Sequence, residues 1–106
     1  MPKYLFQASY TVEGLKGLLK EGGSSRRDAV ANMAEGLGAT LESFYYAFGE
    51  TDVYLIGEAP DNATAAAIAM AVNASGAVKV NTVVLMTPEE VDEATEKTVS
   101  YRPPGH

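Results

Sequence analysis

Cysteine is absent from the chain, so neither a disulfide nor a thiolate metal site can form. Histidine occurs once, as His106 at the far end of the sequence. No cluster of histidines and carboxylates stands at metal-ligand spacing, so no metal site and no cofactor are expected. Basic residues are few: 8 Lys and Arg face 14 Asp and Glu, giving a formal net charge of -6 at pH 7. Phosphate backbones are held by clustered Lys and Arg. The only adjacent basic pair is Arg26–Arg27, which argues against nucleic acid as a partner. No long apolar run follows Met1–Lys3, so neither a signal peptide nor a membrane span is expected, and a cytoplasmic location is.

What is present fits one domain spanning residues 1–106. A chain of this length buries roughly two-thirds of the surface its unfolded form exposes, enough for one core without staples. The clearest local signal is Thr40–Glu58 (TLESFYYAFGETDVYLIGE), two aromatic-rich strands joined at Phe48–Asp52. Period-two alternation puts Leu41, Ser43, Tyr45 and Ala47 on one face and Glu42, Phe44, Tyr46 and Phe48 on the other. Neither face is polar enough to be left in water, so both are expected to be covered.

Lys3–Tyr10 is a further strand, with Leu5 and Phe6 on opposite faces. Thr11–Glu21 predicts a short helix capped by Thr11, stopped by Gly22-Gly23 and weakened by Gly14 and Gly17, each by roughly 1 kcal/mol relative to Ala. A second helix is expected from Ser24 or Ser25, with Ser25 and Asp28 resembling a capping box. It buries Val30, Met33, Ala34 and Leu37 and ends at Gly38. Asp61–Ser75 is a third helix, capped by Asp61 and closed by Gly76, with no polar side chain from Ala65 to Val72, which predicts packing against the sheet and a neighbouring helix. Val78–Met86 is the last core strand. Thr87-Pro88-Glu89-Glu90 starts a short acidic helix, and Val99–His106 forms an extended, proline-bearing tail.

The core order βαββαβ is the split βαβ pattern of α+β, ferredoxin-like domains: a four-stranded antiparallel sheet with helices on one face. The other face is bare in a monomer. An apolar bare face marks an interaction surface, and the simplest cover is a second copy, sheet on sheet, in a homodimer or a higher oligomer.

KYLFQASYTVEGLKGLLKEGGSSRR, the FGETD hairpin, NASGAVKVNT, LMTPEEVD and SYRPPG together resemble the GYD-domain family, from Lys3 to Gly105. The resemblance implies a dimeric α/β barrel of ferredoxin-like subunits, with an extra C-terminal helix and tail, and no established activity. It also implies a Gly, a Tyr and an Asp at the hairpin. Gly49 and Asp52 are present, and Thr51 stands in the place of the tyrosine.

The topology brings Tyr10, Arg26, Arg27, Glu50, Asp52 and Asn73 toward one rim. A carboxylate beside a guanidinium binds a polar ligand or serves as a base. It also caps a turn and pairs with an arginine without further function. Tyr45, Tyr46 and Tyr54 offer hydroxyls to a ligand, or pack as core and interface aromatics. Gly22–Ser25 before a helix can hold an anion with Arg26 and Arg27 assisting, though no Walker pattern follows. Two functions fit these residues. One is a non-catalytic oligomeric module that binds a small molecule or a protein partner. The other is a cofactor-independent enzyme, of the monooxygenase or isomerase type found among α/β barrels, with Asp52 as base and a Tyr or Arg orienting substrate. The second rests on fold likeness alone.

Overall fold

Strand β1 (Lys3–Tyr10) lies inside the sheet, flanked by β3 (Val53–Glu58) and β4 (Val78–Leu85), with β2 (Thr40–Tyr46) outside β3. The computed structural model describes residues 1–106. The order is β2-β3-β1-β4, and every pairing is antiparallel. The architecture is α+β with a ferredoxin-like sheet, as the strand and helix order predicts. The interior place of β1 explains its sequence. Tyr4, Phe6 and Ala8 are buried on the helical side, while Leu5 and Gln7 alternate onto the other face.

Two helices fill the first crossover: α1 (Val12–Glu21) and α2 (Gly23–Gly36). Thr11 caps α1, its hydroxyl accepting from the Gly14 N–H at 3.2 Å and donating to the Gly76 carbonyl at 2.8 Å. Gly22 separates the helices at φ 87°, backbone that a side chain rarely adopts. The second helix therefore begins at Gly23, ahead of the expected serine start. No side-chain cap forms there, so the Ser25–Asp28 capping box is absent: both residues already lie within the helix. Two expected caps do form. Asp61 accepts from the Thr64 N–H at 2.8 Å to open α3 (Asn62–Ala74). Thr87 and Glu90 make a reciprocal capping box that opens α4 (Pro88–Glu96).

The hairpin departs from simple alternation. Leu41 faces Gly57 and Ser43 faces Ile56, so Glu42 is an extra residue in β2 and the strand changes phase there. Leu41 thus joins Phe44 on the helical side, and not Ser43 and Tyr45 as strict alternation predicts. Gly57 permits the close approach: a Cβ there would stand 3.0 Å from the Thr40 carbonyl oxygen.

Helix α2 packs on β2 and α3 on β4. The core between them is small, built on Tyr4, Phe6, Ala34, Ala39, Ala59 and Ala65. Tyr4 is 1 % exposed, and its hydroxyl donates to the Asn62 side chain at the start of α3. Helix α3 buries Ala65 and half-buries Ile68 and Val72, but exposes Ala66, Ala67 and Met70. The neighbouring-helix contact expected from its composition is not made within one chain, because α2 sits over the opposite edge of the sheet.

The far sheet face carries Leu5, Gln7, Ser43, Tyr45, Tyr54, Ile56, Val83 and Leu85, the positions that alternate away from Tyr4 and Phe6. Lys3 closes one end of it, with its Nζ 2.8 Å from Glu42 and 3.6 Å from Glu58. Helix α4 has no buried residue, and every residue after Thr87 is exposed. The radius of gyration, 16.9 Å, exceeds the roughly 13 Å typical of a compact chain of this length. No helix is long and apolar enough to cross a membrane.

Candidate functional site

Because α2 leans on β2 and α3 on β4, a space remains between them above β1 and β3. It is a cavity of about 110 Å³ with 21 lining residues, 17 of them hydrophobic. Phe6 and Leu55 supply its floor, Val30 and Met33 of α2 one wall, and Ile68 and Val72 of α3 the other. Two lining residues carry charge, Arg26 and Glu58. Glu58 is already engaged with Lys3, which leaves Arg26 as the one cation at the cavity.

Arg26 sits in the first turn of α2, where the chain turns back over the end of β1. Its guanidinium stands 3.5 Å from the Glu21 carboxylate at the end of α1, with both side chains partly exposed. An ion pair so open to water contributes little to stability, so Arg26 has a partner that another anion can replace at small cost.

Tyr10 stands beside it at the last position of β1. Burial pushes its phenol up to about 12, and the neighbouring Tyr46 hydroxyl adds to the rise, while Arg26 opposes it. The phenol is therefore protonated throughout the physiological range. Tyr46 comes from β2, opposite Val53. Its hydroxyl donates to the Gly23 carbonyl at 3.0 Å, and its ring meets Phe44 edge to face at 5.2 Å. Of the three tyrosines expected to face a ligand or to pack, Tyr46 joins this edge because the start of α2 returns over it.

Asp52 lies at the same edge, in a second, shallower groove shared with Tyr10, Tyr46, Leu15, Leu18 and Phe48. Its carboxylate accepts from the Tyr10 N–H at 2.8 Å, its own N–H donates to the Ala8 carbonyl, and its carbonyl accepts from the Ala47 N–H. Asp52 thus ties the hairpin to the end of β1. Glu50 is nearby, its carbonyl accepting from the Ser9 hydroxyl at 3.0 Å.

The remaining candidates lie elsewhere. Arg27 turns outward to Asp28, 3.1 Å away. The Asn73 side chain accepts from the Val80 N–H at 2.8 Å and donates to the Val80 carbonyl at 3.4 Å, acting as a surrogate strand on the free edge of β4. Tyr45 and Tyr54 are paired across the hairpin on the far sheet face, 70 % and 40 % exposed, away from the cavity. So Tyr10, Arg26 and Asp52 share one edge, while Arg27, Asn73, Tyr45 and Tyr54 do not join them. No three His, Asp or Glu side chains converge as metal ligands.

No curated protein and no solved structure matches the chain. The family model described as GYD domain matches residues 4–95, a span that takes in all of the sheet except Lys3, the cavity lining and most of α4. The chain belongs to the GYD-domain family.

Proposed function

We propose that this protein is a non-catalytic module that assembles as a homodimer through its far sheet face and binds a small molecule in the cavity between helices and sheet. The observation that carries the binding role is the cavity itself. It is lined almost wholly by hydrophobic side chains, with Arg26 and Tyr10 as its polar groups at one end. Ligand sites have this composition: an apolar body with few, placed polar groups. Assembly is supported by Leu5, Tyr54, Ile56, Val83 and Leu85 on a sheet face that no helix of the core covers. A cytoplasmic setting accords with the cysteine-free, acidic composition.

Titration of the isotope-labelled protein with 1-pentanol, followed by methyl NMR, tests the binding role. Saturable shifts confined to Val30, Leu55, Ile68 and Val72 are expected. Shifts spread over the surface, or none, would overturn it. The alternative, catalysis with Asp52 as general base, has less support, because one Asp52 oxygen is already committed to the Tyr10 N–H.

A further inference from the structure

We infer that the ligand of the helix–sheet cavity is a small monocarboxylate, its apolar body between α2 and α3 and its carboxylate on Arg26, in place of Glu21. The inference rests on the binding role proposed above and adds the chemical class of the ligand and the side chain that competes with it.

Size and polarity set the apolar part. A dry cavity of roughly 150 Å³ takes a benzene ring. This one, at about 110 Å³, suits a body no larger than a short alkyl chain or a small ring reaching toward the opening. Such a lining favours an apolar group by removing it from water.

Charge sets the other end. Glu58 is turned to Lys3, so Arg26 is the only cation available to a bound molecule. A guanidinium matches a carboxylate through two parallel N–H···O bonds. Tyr10 lines the cavity beside it. Helix α2 also starts without a side-chain cap, so its positive end adds to the attraction. A cationic ligand would meet Arg26 with like charge, and a neutral one would leave the guanidinium to Glu21.

Glu21 is the internal competitor. It holds Arg26 at 3.5 Å, longer than a charge-assisted hydrogen bond, and it is itself half exposed. An incoming carboxylate exchanges this loose contact for a bidentate one, and Glu21 returns to water. Removing the Glu21 charge should therefore tighten binding, an effect that misfolding cannot imitate.

The test is calorimetric titration of the full chain with pentanoate and benzoate, each against its neutral alcohol, 1-pentanol and benzyl alcohol. The carboxylates should bind at least about tenfold tighter than the alcohols, the scale of a hydrogen bond to a charged group. Arg26→Gln should abolish that preference while alcohol binding persists, which also reports an intact cavity. Arg27→Gln should leave it unchanged, and Glu21→Gln should strengthen carboxylate binding several-fold. Equal binding of acid and alcohol would overturn the carboxylate assignment and leave the cavity role standing. Unchanged or weaker carboxylate binding in Glu21→Gln would overturn the competition. If neither acids nor alcohols bind, the cavity role falls and the inference with it.

Discussion

Gly14 and Gly17 show how differently two identical residues act on one helix. Both lower intrinsic helix propensity. A Cβ at Gly14, however, would stand 1.9 Å from the Ala77 carbonyl oxygen, whereas one at Gly17 would meet nothing within 4 Å. Gly14 is what lets α1 close onto the turn before β4. Gly14→Ala should therefore destabilise the chain by about 1–3 kcal/mol, an overpacking cost. Gly17→Ala should stabilise it by about 0.5–1 kcal/mol. Urea unfolding of the two variants checks both signs. Tyr10 adds a pH dependence. Its folded pKa, about 12, lies above the ordinary 10.0, so between these values the folded chain keeps a proton that the unfolded chain releases. The stabilisation is complete below pH 10 and lost as pH rises toward 12. The urea midpoint should fall across that window less steeply in Tyr10→Phe than in the parent. Equal slopes would remove Tyr10 as the cause.

Among the elements, α4 stands apart. Thr87, Pro88 and Glu90 give it a complete N-terminal signal, and the box forms as the residues dictate. Local capping defines where a helix starts; it does not supply a surface to pack on. Helix α4 and the tail beyond it present Val91, Val99 and Tyr101 to solvent. Side chains of this kind gain about 1.5–3 kcal/mol each when buried, and the parent domain buries none of them. These exposed side chains are expected to pack on a second copy. A chain ending at Thr98 should keep its circular dichroism and dimerise more weakly in sedimentation equilibrium. Unchanged dimerisation and melting would show that the tail has no such role. The second helix makes the complementary point: Ser25 and Asp28 match a capping pattern, yet Gly22 breaks the chain earlier and draws both into the helix.

At the scale of the whole molecule, the sheet is covered on one side only. Helices α2 and α3 take the Tyr4–Phe6 face, and Leu5, Ile56, Val83 and Leu85 remain on the other. A two-fold dimer joining these faces satisfies both sides with one surface. Light scattering should give about twice the chain mass of 11.2 kDa. Val83→Glu, at an exposed position, should give a folded monomer, because the dimer would have to bury the new charge. A stable parent monomer at micromolar concentration would exclude this assembly.

The order of strands and helices, the Asp61 and Thr87 caps and the stops at Gly22, Gly38 and Gly76 were legible in the sequence, because each depends on neighbours within a few residues. The position of β1 inside the sheet followed from the ferredoxin-like order of the elements. The phase of the hairpin did not: the extra residue Glu42 depends on Gly57, fifteen positions away, leaving room for the Thr40 carbonyl. The site was legible as a list of residue types and only in part as a place. Tyr10, Arg26 and Asp52 come to one edge, with Tyr10 common to the cavity and the groove, because the end of β1, the start of α2 and the hairpin lie there. Arg27, one residue from Arg26, is carried about 100° around the helix and turns to solvent. Tyr46 enters the cluster only because α2 returns over β2. Local spacing determined the elements; which side chains share the cavity mouth was decided by contacts between segments far apart in the chain.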